Sequence, residues 1–335
     1  MTMTLSILIL LAGLLLVVFG ADILVDGSST IARKAGLSEF LIGLTIVGIG
    51  TSLPELVVSM NGALHGNADI AIGNVMGSNL FNVLLILGIT ALIRPVGISR
   101  DNLSKDIPLN IIASVLLIGF GMHKSIFGLG TSDTISRTEG FIFLALFAAY
   151  MVYSFKSGKV ESDGNEEETE KEKKLPVAIL MVLGGFAGLI YGGRIFVDSA
   201  CDIARMAGLS DKFIAVTILA GGTSMPELVT CIVAAAKKKD QLALGNILGS
   251  NISNILLILG CSSVFFRKTS GGPDGLAFTG MSNMDIFVFL ISSLVILASA
   301  YTGRGKTRRI DRADGLFFVA IEIAYLIWLI TNLNY

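Results

Sequence analysis

Glu55 closes the hexapeptide Gly50-Thr51-Ser52-Leu53-Pro54-Glu55, and Glu227 closes Gly222-Thr223-Ser224-Met225-Pro226-Glu227. Both hexapeptides lie within apolar surroundings. A charged side chain at the centre of a bilayer costs about 2.5–3.5 kcal/mol on insertion scales. Two carboxylates at matching positions therefore imply a function. A proline inside a helix lacks an N–H and crowds the carbonyl four residues back. Pro54 and Pro226 are thus expected to release the carbonyls of Gly50 and Gly222. Released carbonyls are tolerated at membrane depth only where they line a polar cavity or find other partners. Carboxylates, hydroxyls and carbonyls are all hard oxygen donors.

A second cluster supplies more oxygen. Gly73-Asn74-x-x-Gly77-Ser78-Asn79-x-x-Asn82 recurs as Gly245-Asn246-x-x-Gly249-Ser250-Asn251-x-x-Asn254. Ser78 and Asn82 are four residues apart, as are Ser250 and Asn254, so each pair is expected on one helical face. Gly73 and Gly77 form a small-xxx-small pair suited to close helix packing. The expected donor set is Glu55, Glu227, Thr51, Thr223, Ser52, Ser224, Ser78, Ser250, Asn82 and Asn254, together with backbone carbonyls. Calcium takes about six to eight oxygens at roughly 2.3–2.6 Å. Two carboxylates balance one divalent cation, or let monovalent cations share the same oxygens. No Cys or His joins the set, which argues against zinc or copper. Cys201, Cys231 and Cys261 form neither a CxxC nor a disulfide framework and read as buried thiols. His65 and His123 fall at expected helix ends and read as interfacial.

The rest of the chain must position these groups in a membrane. Of 335 residues, 53% are hydrophobic and 15% charged, against about 25% charged in soluble domains. Several windows approach the roughly 20 apolar residues needed to cross a bilayer. No basic patch suggests nucleic acid. The N-terminal run has no Lys or Arg before it and no small-x-small cleavage site, so it reads as a first spanning helix and not a signal peptide. Ten segments are expected, near 4–34, 38–65, 68–93, 107–122, 139–156, from 175, 210–236, 241–266, 285–301 and 311–332. Residues 157–174 carry seven acids and four lysines and read as a solvated loop. The fold class is therefore an all-α polytopic membrane protein. Residues 1–156 form a first five-helix repeat, 157–174 an acidic loop and 175–335 a second repeat.

The repeat is explicit. Shifted by 172 residues without gaps, Ile23–Gly88 matches Ile195–Gly260 at 33 of 66 positions. The matches include Thr, Ser, Pro, Glu and Asn in register, which similarity between greasy helices does not explain. Five helices per half is an odd number, so the second copy enters from the opposite side, an inverted repeat of the kind many secondary transporters use. With the N-terminus outside, inside loops carry 18 of 25 basic residues and outside loops six. The bias places both termini outside and the acidic loop in the cytoplasm.

The doubled Gly-Thr-Ser-x-Pro-Glu with downstream Gly-Asn-x-x-Gly-Ser-Asn resembles the α-repeats of the sodium/calcium exchanger family, within the cation/calcium antiporters. The resemblance covers nearly the whole chain, and the short central loop is similar to that of prokaryotic members. It implies a secondary antiporter of the cell membrane, not an enzyme, needing no cofactor and working as a single chain. Its substrates would be Ca2+ and Na+, usually three sodium ions for one calcium. Glu55 and Glu227 would bind calcium and be shared with sodium. Thr51 and Thr223 would offer hydroxyls and carbonyls. Ser52, Ser224, Ser78 and Ser250 would line sodium sites with the carbonyls of Gly48 and Ala220, and Asn82 and Asn254 would sit at the centre. The first and sixth segments would slide to switch access. Some members, including potassium-dependent ones, carry aspartate where this chain has Asn254, so no potassium requirement is expected. A proton-driven antiporter on the same fold, a cation channel and an intramembrane enzyme are the rival readings. The last is disfavoured because no His or Lys recurs near the Ser and Glu residues.

Overall fold

The computed structural model describes residues 2–130, 132–157, 174–208, 218, 220–268, 275–278, 280–302 and 308–332. The acidic loop beyond Ser157 and the start of the seventh expected segment lie outside the described residues. The helices are α1 (Met3–Ala35), α2 (Glu39–Thr51), α3 (Leu53–Leu64), α4 (Ala68–Ile93), α5 (Asn102–Gly121), α6 (Arg137–Ser157) and α7 (Leu175–Met206). They continue with α8 (Met225–Ala236), α9 (Asp240–Val264), α10 (Asn283–Thr302) and α11 (Arg312–Asn332). Eight are long and apolar enough to cross a membrane, and α2 with α3 makes a ninth, broken span, among the described residues. The seventh expected segment is represented by the turn Ala220–Gly222 and by α8.

Capping explains the boundaries. Thr2, Ser38 and Asn67 accept backbone N–H bonds at the starts of α1, α2 and α4. Gly36 ends α1 in the left-handed region at φ 62°. The fourth segment begins five residues earlier than expected, because Asn102–Asp106 forms a π turn, ahead of Pro108 in the first turn of its α part. Further π turns run over Gly43–Val47, Phe81–Leu87 and Asn254–Leu259. These i→i+5 turns often mark functional sites, and hydrophobic spacing gave no sign of them.

The chain forms two compact units. The first comprises Met1–Thr51 and Met151–Gly249, the second Ser52–Tyr150 and Ser250–Tyr335. Each unit therefore draws on both sequence repeats.

In the first unit α1 packs along α7 through glycines. A Cβ on Gly20 would lie 2.9 Å from the Gly185 carbonyl oxygen, and one on Gly192 2.8 Å from the Val17 nitrogen. Gly13 and Gly20 correspond to Gly185 and Gly192 at the 172-residue offset, so the seam is self-complementary. In lipid such contact is held by close packing and not by exclusion of water. Leu8, Leu15 and Phe19 of α1 and Leu180 and Leu183 of α7 are exposed, as lipid-facing side chains must be. Asp22 and Asp26 of α1 each lie 2.7 Å from the Lys237 ammonium at the end of α8. Burial opposes that charge, but the two carboxylates overcome it and hold Lys237 above the usual lysine range. The clamp belongs to one repeat alone, because the positions matching Asp22 and Lys237 are Arg194 and His65. Lys237→Met leaves two carboxylates facing each other one turn apart. It is expected to lower the unfolding midpoint in detergent by a few degrees, with the deficit narrowing in high salt as screening grows. Calorimetry at low and high ionic strength checks this.

In the second unit the inverted symmetry is visible in matched contacts. Strands β1 (Val96–Gly97) and β4 (Arg309–Ile310) pair antiparallel, and so do β2 (Thr134–Ile135) and β3 (Leu276–Ala277). Each ladder joins a loop of one repeat to a loop of the other. A Cβ on Gly88 of α4 would lie 3.0 Å from the Gly315 carbonyl oxygen of α11, and one on Gly140 of α6 2.9 Å from that of Gly260 of α9. Tyr150 and Tyr325 stand at equivalent places in α6 and α11, and each donates its hydroxyl at 2.8 Å to an aspartate, Asp106 of α5 or Asp285 of α10. The serines Ser114 and Ser293 bond each other at 2.8 Å. Glu322 is buried, and Trp328 stacks on Tyr325.

Candidate functional site

Pro54 and Pro226 do not lie inside a continuous helix. The chain breaks the helix outright, ending α2 at Thr51 and restarting α3 at Leu53. Ser52 between them has φ −81° and ψ 7°, and Ser224 repeats this at −88° and 9°. Pro54 and Pro226 thus sit in the first turn of a new helix, where the missing N–H leaves no gap. Leu56 and Leu228 N–H groups bond the Ser52 and Ser224 carbonyls at 3.1 Å and start the new helices. The break delivers Glu55 and Glu227 to helix N-termini. There the dipole stabilises negative charge, typically by about 0.3–1 kcal/mol. Both carboxylates are 1% exposed.

In the first unit Thr51 is buried, and its hydroxyl lies 3.0 Å from the Val47 carbonyl, 3.4 Å from that of Gly48 and 3.1 Å from Asn246 Oδ1. Asn246 in turn donates Nδ2 to the Cys231 sulfur at 3.3 Å. Ser224 and Glu227 are buried in this unit. Thr223 Oγ1 is buried without a hydrogen-bond partner among the described residues. Ala220 opens the turn Ala220–Gly222. Gly245 and Gly249 of α9 press against the backbone of Phe40 and Leu44, and Gly43 of α2 against that of Leu242. The close packing expected at Gly73 and Gly77 is not seen there among the described residues, where a Cβ on Gly73 would meet only the Met281 methyl at 3.6 Å and one on Gly77 nothing within 4 Å; it is their copies that pack closely. Residues 212–216, which correspond to 40–44, lie outside the described residues.

In the second unit Ser78 donates to Glu55 Oε1 at 3.3 Å. Asn74 Nδ2 reaches the Glu55 carbonyl at 3.1 Å and Ser59 Oγ at 2.9 Å. Ser59 matches Cys231, so the same asparagine bond is made to oxygen in one repeat and to sulfur in the other. Ser52 and Ser250 are buried. Asn82 lies within the π turn Phe81–Leu87, and its Nδ2 bonds Asn251 Oδ1 at 3.0 Å. Asn254 Nδ2 bonds Asn79 Oδ1 at 3.0 Å. Asn74, Asn79, Asn246 and Asn251 were visible as matched letters of the repeat, but no spacing rule gave their side chains a role.

A family model described as sodium/calcium exchanger protein matches residues 5–156 and 177–331. The chain belongs to that family. The sodium/calcium exchanger MaX1 of Methanosarcina acetivorans is 33% identical over 359 residues, spanning 97% of this chain and 98% of that protein. The putative antiporter CaxA of Alkalimonas amylolytica is 35% identical over 329 residues, 96% of this chain and 98% of the relative. A structure of the sodium-calcium exchanger NCX_Mj, soaked with 10 mM Na+ and 10 mM Sr2+, matches with a TM-score of 0.80 at 32% identity, over 97% of this chain and 99% of that one. This exchanger-family chain is a multi-pass membrane transporter, and the fold expected from its repeats agrees with that match.

Proposed function

We propose that this exchanger-family member is a secondary antiporter that trades sodium for calcium across the cell membrane by alternating access. Glu55 and Glu227 bind calcium and give way to sodium. Thr51, Thr223, Ser52, Ser224, Ser78, Ser250, Asn82, Asn254 and the carbonyls of Gly48 and Ala220 supply the remaining oxygens. The observation that carries this reading is the pair of buried carboxylates, each at a broken helix start beside hydroxyls. Such a set suits hard cations, and calcium above smaller ions that demand rigid geometry. The chain acts alone in the bilayer, with both termini outside and the acidic loop in the cytoplasm. The inward excess of Lys and Arg supports this orientation.

Reconstituted vesicles test the reading. An outward sodium gradient at constant pH is expected to drive ⁴⁵Ca accumulation without potassium. Uptake that follows a proton gradient instead, or that needs potassium, replaces the driving ion. Single-channel currents in place of saturable exchange overturn the antiporter.

A further inference from the structure

We propose that Asn79 and Asn251 are positioning residues that fix the amides of Asn82 and Asn254 with their oxygens presented to the transported cation. The proposal rests on the exchange reading above and adds residues to it.

Four asparagines of the second unit form a reciprocal lattice. Asn82 gives its N–H to Asn251, and Asn254, the counterpart of Asn82, gives its N–H to Asn79, the counterpart of Asn251, both at 3.0 Å. Asn79 Nδ2 also reaches the Asn251 backbone carbonyl at 3.3 Å. All four side chains are at least 98% buried. Two identical bonds exchanged by the repeat symmetry make the arrangement a property of the doubled motif and not of one copy.

Asn79, tied through Nδ2 to the Asn251 carbonyl, sets which way Asn254 faces, and Asn82 with Asn251 repeats that arrangement. A primary amide carries donors on nitrogen and acceptors on oxygen. Turning Asn82 over would bring its oxygen against Asn251 Oδ1, acceptor against acceptor, and turning Asn254 would do the same at Asn79. Each amide is therefore held with nitrogen toward its partner. The Oδ1 atoms of Asn82 and Asn254 are left buried without a hydrogen-bond partner among the described residues. A buried acceptor without a partner is costly, and a hard cation with a flexible oxygen shell satisfies it. Asn79 and Asn251 have no such orphan oxygen, so their amides hold and those of Asn82 and Asn254 receive.

The test uses the full chain, with two readouts. The first is sodium-driven calcium uptake in vesicles, giving half-saturating concentrations and maximal rate. The second is stabilisation of the detergent-solubilised protein by calcium alone and by sodium alone. Asn251→Leu is expected to raise the half-saturating concentration of both ions about tenfold and to weaken ion stabilisation, with a smaller change in maximal rate. The double variant Asn82→Ala with Asn251→Leu is expected to lose no more than Asn82→Ala alone, because Asn251 acts through Asn82. If Asn251→Leu fails to fold, Asn251→Ser removes the long-reaching acceptor with less disturbance and carries the same expectation. A variant that lowers the ion-free unfolding midpoint but keeps wild-type ion affinities overturns the proposal, as does full additivity in the double variant. Wild-type protein that binds calcium but exchanges none for sodium overturns the exchange reading instead and leaves the binding arm of this test intact.

Discussion

Glu55→Gln and Glu227→Gln are each expected to abolish sodium-driven calcium exchange, reducing flux at least about a hundredfold. The size follows from charge. Unit charges about 4 Å apart interact by roughly 4 kcal/mol at an effective dielectric constant near 20. A divalent ion deprived of one carboxylate loses at least that much, nearly three decades of affinity at about 1.4 kcal/mol per decade. Folding is expected to survive, since Gln is nearly isosteric and removes a charge that costs about 2.5–3.5 kcal/mol to hold at bilayer depth. The unfolding midpoint in ion-free detergent should stay level or rise. Added calcium should stabilise the wild type and not the variants, because only a ligand that binds the folded state shifts the transition. The ⁴⁵Ca assay and calcium titration of the midpoint measure the two halves. Either variant retaining exchange would mean that the carboxylates are structural.

Much of this architecture could be read from the chain. The apolar segments found α1, α4, α6 and α11 to within a few residues, because their ends carry Thr2, Asn67, Arg137 and Arg312 at clear changes of polarity. The offset of 172 residues exposed the repeat and the matched hexapeptides. What escaped is what depends on direction. The π turn through Asn82 widens the helix, so a rule of four residues per face does not place that side chain. The glycine seam of α1 and α7 has a seven-residue spacing, Gly13 to Gly20 and Gly185 to Gly192, that no local motif singles out. The asparagine lattice joins residues about 170 apart in sequence, and no local pattern indicates which atom of an amide meets which. The ladders β1–β4 and β2–β3 are two residues per strand, too short for any alternation to register.

The two repeats have also diverged where their roles differ. Lys237 is clamped by Asp22 and Asp26, while its counterpart His65 turns Nδ1 to the Asn61 carbonyl of its own helix at 2.8 Å. Asn74 holds Ser59, whereas Asn246 holds Cys231 and also meets the Thr51 hydroxyl. A symmetric scaffold thus presents chemically unequal surroundings to its two hexapeptides.

The crossing of α2 on α9 gives the second large expectation. Gly249→Leu should eliminate folded, exchange-competent protein. A Cβ on Gly249 would lie 2.7 Å from Leu44 Cα and closer still to the Leu44 carbonyl oxygen. On Gly245 it would press into the Phe40 carbonyl and stand 2.8 Å from the Leu44 nitrogen. Overpacking against side chains typically costs about 1–3 kcal/mol because the neighbours can rotate away. Here the neighbours are backbone atoms of a helix, which can yield only by separating the two elements, so more than about 3 kcal/mol is expected. Separation would also pull Thr51 from Asn246, two residues held in place by that crossing. The control is Gly184→Leu in α7, where an added Cβ meets nothing within 4 Å among the described residues and the helix gains a better former. Size-exclusion profiles and ⁴⁵Ca uptake should show Gly249→Leu aggregated and silent and Gly184→Leu monodisperse and active. A monodisperse Gly249→Leu with wild-type exchange would show that α2 and α9 do not need this contact. The contrast ties function to the one chemical property glycine has here, the absence of a side chain.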